Sequence, residues 1–115
     1  MKKIGLMGAA MAALLSMAGQ AAAQTEIQWW HSMAGELGQK LEGLASRFNE
    51  SQSEYKVVPL YRGTYPESMT AAIAAFRAGE QPHILQVFEV GTGTMMSAKG
   101  AIKPVAEVMK QAGLA

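Results

Sequence analysis

The stretch Glu26-Ile27-Gln28-Trp29-Trp30-His31, with the segment that follows it as far as Leu60, decides the fold. The six quoted residues are aromatic and β-favouring, so they predict a strand. Ser32 then offers a helix N-cap. Beyond it Leu37, Leu41, Leu44, Ala45 and Phe48 recur at helical spacing and predict one buried stripe. Glu36, Lys40, Glu42, Arg47 and Glu50 fall on the other faces, and the polar run over 49–53 ends the helix. Tyr55-Lys56-Val57-Val58-Pro59-Leu60 is the second strand, where Pro59 marks a strand end or a sheet edge because it has no N–H to give to a ladder.

Outward from this unit the alternation repeats. Residues 61–65 form a turn, Thr64 and Glu67 stand in capping-box spacing, and Pro66 lies in a first helical turn that tolerates its missing N–H. Met69, Ala72, Ile73 and Phe76 predict a buried stripe, and Gly79 a helix stop. A third strand is expected over 83–88, ending at Glu89. The turn Gly91-Thr92-Gly93-Thr94 leads to a short helix with Met95 and Met96, and a last helical segment covers 105–111. The fold class is therefore α/β, βαβαβα, with a parallel sheet and right-handed crossovers.

The chain has 115 residues and no cysteine, which excludes a disulfide scaffold and any Cys-ligated metal site. Formal charge is +1, so no basic surface points to nucleic acid. Every acidic residue is a glutamate, which removes aspartate-based motifs such as the EF-hand loop and the Ser/His/Asp triad in their usual form. Residues 1–23 read as a cleaved secretory signal. Lys2 and Lys3 open it, an apolar core follows over 4–17, and Ala21-Ala22-Ala23 offers a small-x-small cleavage site before Gln24. An uncleaved membrane anchor is the rival, weakened by Gly19 and Gln20 interrupting the run. The mature chain is then expected in the bacterial periplasm. Three strands with a helix after each resemble the opening of a larger open sheet, so residues 24–115 are read as part of a lobe that would be only marginally stable alone.

In an open parallel sheet the ligand site lies beyond the carboxyl ends of the strands. Those ends deliver Trp30, His31, Ser32 and Met33, then Tyr61 to Tyr65, then Glu89, Gly91 and Gly93. Tyrosine rings cover C–H groups while their O–H reaches hydroxyls, and a carboxylate accepts two hydroxyl hydrogen bonds. Helix N-termini after Ser32 and Thr64 would add donors for an anion. The residues thus predict a small, hydroxylated polar ligand. Plainer roles stand beside this one: one of Trp29 and Trp30 in the core, His31 a hydrogen-bonded strand-end histidine, Glu89 a solvated loop charge. Gly91-x-Gly93 lacks the third glycine of a dinucleotide fingerprint. His31, His83 and Glu89 lack metal-ligand spacing, and Met95 with Met96 fits packing better than a copper site. No cofactor is expected.

Three segments, 30–38, 71–79 and 84–92, resemble in order, gaps and strand-end residues the family of periplasmic sn-glycerol-3-phosphate-binding proteins of ABC importers, solute-binding proteins of the maltose-binding type. The resemblance implies the start of the first lobe of a two-lobed periplasmic-binding-protein-like (type II) fold, so the chain is read as an amino-terminal fragment. It implies that Tyr65 and Glu89 match residues contacting bound glycerol phosphate, with His31 and Ser32 in a matching segment. It implies capture of sn-glycerol 3-phosphate or a glycerophosphodiester, delivery to permease subunits in the inner membrane, and no catalytic residue. A maltodextrin-like or other polyol-binding protein is the nearest alternative. A periplasmic hydrolase using His31 and Glu89 would need a nucleophile elbow or a metal signature that the sequence lacks. A small secreted interaction module would require residues 24–115 to fold cooperatively by themselves.

Overall fold

A computed structural model describes residues 23–114, so the secretory signal expected over 1–23 lies almost wholly outside the described residues. The order is β1 (Thr25–His31), α1 (Gly35–Ser51), β2 (Tyr55–Tyr61), α2 (Tyr65–Ala78), β3 (Ile84–Leu85), a 3-10 turn (Glu89–Gly91), α3 (Thr92–Ser97) and α4 (Val105–Gln111). The three strands form a parallel sheet in the order β2-β1-β3. This is the α/β, βαβαβα architecture expected from the alternation, and it is consistent with the start of a periplasmic-binding-protein lobe. The step from β1 to β2 and the step from β2 to β3 run in opposite directions across the sheet. Right-handed crossovers therefore set α1 and α2 on opposite faces.

Local chemistry explains most element ends. Pro59 stands opposite Trp29 in β2, which is an outer strand of the described sheet, the place where a missing donor is tolerated. The Asn49 side chain pins α1 to β2: its amide donates to the Val57 carbonyl at 2.9 Å and its oxygen accepts the Val57 N–H at 2.7 Å. Gly79 closes α2 in the left-handed conformation, φ 74°, as expected of a glycine stop. Among the described residues no helix is long and apolar enough to cross a membrane.

Three expectations are corrected. The third strand is two residues long rather than six, and Glu89 opens a 3-10 turn instead of ending a strand. Ser32 does not cap α1: the helix starts at Gly35 after Ala34, while the Ser32 and Met33 N–H groups donate to Gln86 Oε1 and His31 Nδ1. The apolar stripes are only partly covered. Trp30, Ala45, Ala72 and Met95 are buried, whereas Leu37, Leu44, Phe48, Phe76 and Met96 are exposed. Of the adjacent tryptophans, Trp30 is the core residue, in keeping with the alternation of faces along a strand.

Candidate functional site

The carboxyl ends of the strands form one edge, built from three segments. At the β1 end His31 is only 2% exposed. Its Nδ1 accepts the Met33 N–H at 3.2 Å, which in the neutral imidazole leaves the ring hydrogen on Nε2. That Nε2 is buried and has no hydrogen-bond partner among the described residues. The ring lies between Trp29 and Tyr61, with centroids 6.3 and 6.1 Å away. Ser32 donates its N–H to Gln86 Oε1 at 2.9 Å, and its hydroxyl oxygen is buried with no hydrogen-bond partner among the described residues.

The β2 end is fixed by the Arg62 N–H, which donates to the His31 carbonyl at 2.9 Å. The Arg62 guanidinium lies 4.0 Å over the Trp30 ring, a cation–π contact that covers the core tryptophan while leaving the charge at the edge. Gly63 then turns the chain with φ 81°. Thr64 meets Glu67 in a capping box, the Glu67 carboxylate accepting the Thr64 N–H at 2.7 Å and the Thr64 hydroxyl at 2.9 Å. The backbone bond first, and the hydroxyl second, hold the Glu67 carboxyl below its ordinary value of 4.5. The positive end of α2 therefore already carries a carboxylate. The Thr64 N–H and hydroxyl are thereby partnered within the chain.

Tyr65 is the first residue of α2 and is half-buried. Its ring stacks on Phe88, centroids 5.2 Å apart and planes 19° from parallel. Phe88 directly precedes the exposed Glu89, so the structure brings Tyr65 and Glu89 to the same edge of the sheet. Gly91 is buried behind this stack. A Cβ there would stand 2.6 Å from Phe88 Cε1 and 3.0 Å from Met69 Sδ. Tyr65 is thus half-buried and Glu89 exposed, whereas His31 Nε2 and the Ser32 hydroxyl oxygen are buried.

The chemistry on offer is an aromatic face, a phenol, a free carboxylate and one guanidinium. Among the described residues no group of three or more histidines, cysteines or acidic residues could hold a metal. A hollow of about 620 Å³ opens elsewhere, between α2, β3 and α4, with apolar walls including Ile73, Phe76, Leu85, Val87 and Val108. Two structural contributors escape a reading of the sequence. Phe88, the platform under Tyr65, looked like one more strand residue. Gln86 left one signal, a lone amide in the apolar run Ile84-Leu85-Gln86-Val87-Phe88.

No protein-family model matches the chain. It is 56% identical over 94 residues to the sn-glycerol-3-phosphate-binding periplasmic protein UgpB of Rhizobium meliloti, a match covering 82% of this chain and 22% of that protein. It is 51% identical over 114 residues to the protein of the same name from Agrobacterium fabrum, covering 98% of this chain and 26% of the relative. The Salmonella typhimurium protein of that name is 56% identical over 104 residues, covering 90% and 24%. The chain spans about a quarter of the length of these curated relatives.

Proposed function

Because the chain belongs to the family of periplasmic sn-glycerol-3-phosphate-binding proteins, we propose that it forms part of the solute-binding component of an ABC importer, capturing sn-glycerol 3-phosphate or a glycerophosphodiester. The observation that carries this reading is identity above one half with relatives of that name, sustained over nearly the whole chain. The edge geometry fits it. Glu89 accepts two hydroxyl hydrogen bonds from the glycerol, and Tyr65, braced on Phe88, adds a phenol and a ring face for its C–H groups. Ser32 and His31 support the edge from beneath. With carboxylates at Glu67 and Glu89, the phosphate points away from α2 and toward the part of the protein that closes over the edge.

Capture involves no covalent step, so the chain acts as a binding protein and not as an enzyme. Residues 1–23 direct export to the periplasm and are removed there, and the loaded protein docks on membrane permease subunits. The test grafts residues 24–114 in place of the matching segment of the Rhizobium meliloti protein and titrates the graft calorimetrically with sn-glycerol 3-phosphate, a glycerophosphodiester and maltose. Binding of the first or second ligand is expected. Glu89→Gln and Tyr65→Phe should each weaken it at least tenfold, about 1.4 kcal/mol. Preference for maltose, turnover of the diester, or unchanged affinity in both variants would refute the reading.

A further inference from the structure

We propose that Gln86 is a positioning residue for Glu89: its side chain takes over a ladder hydrogen bond, ends the third strand after Leu85, and so sets the exit on which the Tyr65–Phe88–Glu89 edge is built. Trp30 stands opposite Leu85, and the Gln86 N–H donates to the Trp30 carbonyl at 2.9 Å, as a parallel ladder requires. The next bond of that ladder would run from the Ser32 N–H to the backbone carbonyl of Gln86. Instead the Ser32 N–H donates to Gln86 Oε1 at 2.9 Å.

One residue thus supplies both the last backbone bond of the strand and a side-chain substitute for the next. The Ser32 N–H is satisfied, and the Gln86 carbonyl is released from the ladder. From residue 86 onward the backbone is free to leave the sheet. Phe88 then reaches Tyr65, and Glu89 starts the 3-10 turn three residues after the lock. Any apolar side chain at 86 would leave the Ser32 N–H either unpaired or bonded to the backbone carbonyl. In the second case β3 continues, and the residues after it shift.

The claim is tested by Gln86→Leu, which removes the acceptor, and Gln86→Glu, which keeps an acceptor oxygen at the same reach. In the full chain, nuclear Overhauser contacts between the Tyr65 and Phe88 rings should persist in the wild type and in Gln86→Glu and vanish in Gln86→Leu. In the graft described above, an arm that rests on the proposed function, Gln86→Leu should weaken sn-glycerol 3-phosphate roughly tenfold, with Gln86→Glu within about threefold of wild type. Should Gln86→Leu not fold, Gln86→Asn keeps the amide but is one methylene too short, and it should lose the same ring contacts. Ring contacts and affinity retained without an acceptor at this reach would overturn the proposal, as would their loss in Gln86→Glu. A wild-type graft that binds no glycerol phosphate refutes the ligand reading alone, and the ring contacts then decide the role of Gln86.

Discussion

The crossover from β2 into α2 and the exit from β3 reach the same edge of the sheet by opposite means. The crossover is organised by neighbours in sequence: Gly63 takes the left-handed turn, and Thr64 and Glu67 close the capping box three residues apart. The exit is organised at long range: Gln86 answers Ser32 across 54 positions, and Phe88 finds its platform in Tyr65 on another element. Local hydrogen bonds make an element end where its own residues dictate. Long-range ones make it end where a distant segment happens to lie. The edge that carries Tyr65 and Glu89 depends on both, so perturbing each region in turn shows which of them holds the site.

The largest effect is expected in the crossover, from Gly63→Ala. A side chain at φ 81° is strained, and a Cβ there would run into the Glu67 carboxylate that closes the capping box. Left-handed strain together with a weakened cap should cost about 2–3 kcal/mol, measured by denaturant unfolding of the graft into the Rhizobium meliloti protein. Loss of that size would show that the turn before Tyr65 is held locally. A change under about 0.5 kcal/mol, the range of neutral surface substitutions, would show that the turn is held from elsewhere.

Gly91→Ala probes the exit and should cost less. The added methyl would press first on the Phe88 ring and then on Met69, an overpacking penalty of about 1–2 kcal/mol. Its signature is where the damage appears. The Tyr65–Phe88 ring contacts should weaken although Tyr65 itself belongs to the crossover. If those contacts are untouched, the two regions hold the edge independently.

The same division explains what could be read in advance. The capping box, the Gly79 stop, the edge position of Pro59 and the strand-helix alternation all follow from residues within a few positions of one another, and each is present. The length of β3 is not legible in sequence because Ile84-Leu85-Gln86-Val87-Phe88 has strand composition throughout, and only its pairing with β1 says where the ladder ends. Ser32 looked like an N-cap by type, but its amide belongs to Gln86 and its neighbour Met33 to His31. Strand-end position puts Tyr65 after β2, but Glu89 lies four residues beyond the end of β3, so strand-end position alone does not place it. Their tie through Phe88 is not legible either, since a stacked ring leaves no periodic trace in sequence.

The smallest effect is a pH dependence that separates the two regions. Hydrogen bonds from the Thr64 N–H and hydroxyl lower the Glu67 pKa in the folded chain, so Glu67 stabilises the first turn of α2 above its ordinary value of 4.5, and that contribution is lost as the pH falls through the lower folded value. Amide exchange in the first turn of α2 should therefore quicken relative to the rest of the helix below about pH 4.5, and Glu67→Gln should abolish the change. The Gln86 lock contains no titrating group, so the Ser32 amide should keep its protection over the same interval. If Ser32 loosened in step with the α2 turn, the crossover would be holding the exit in place, and the local and long-range halves of the edge would be a single unit.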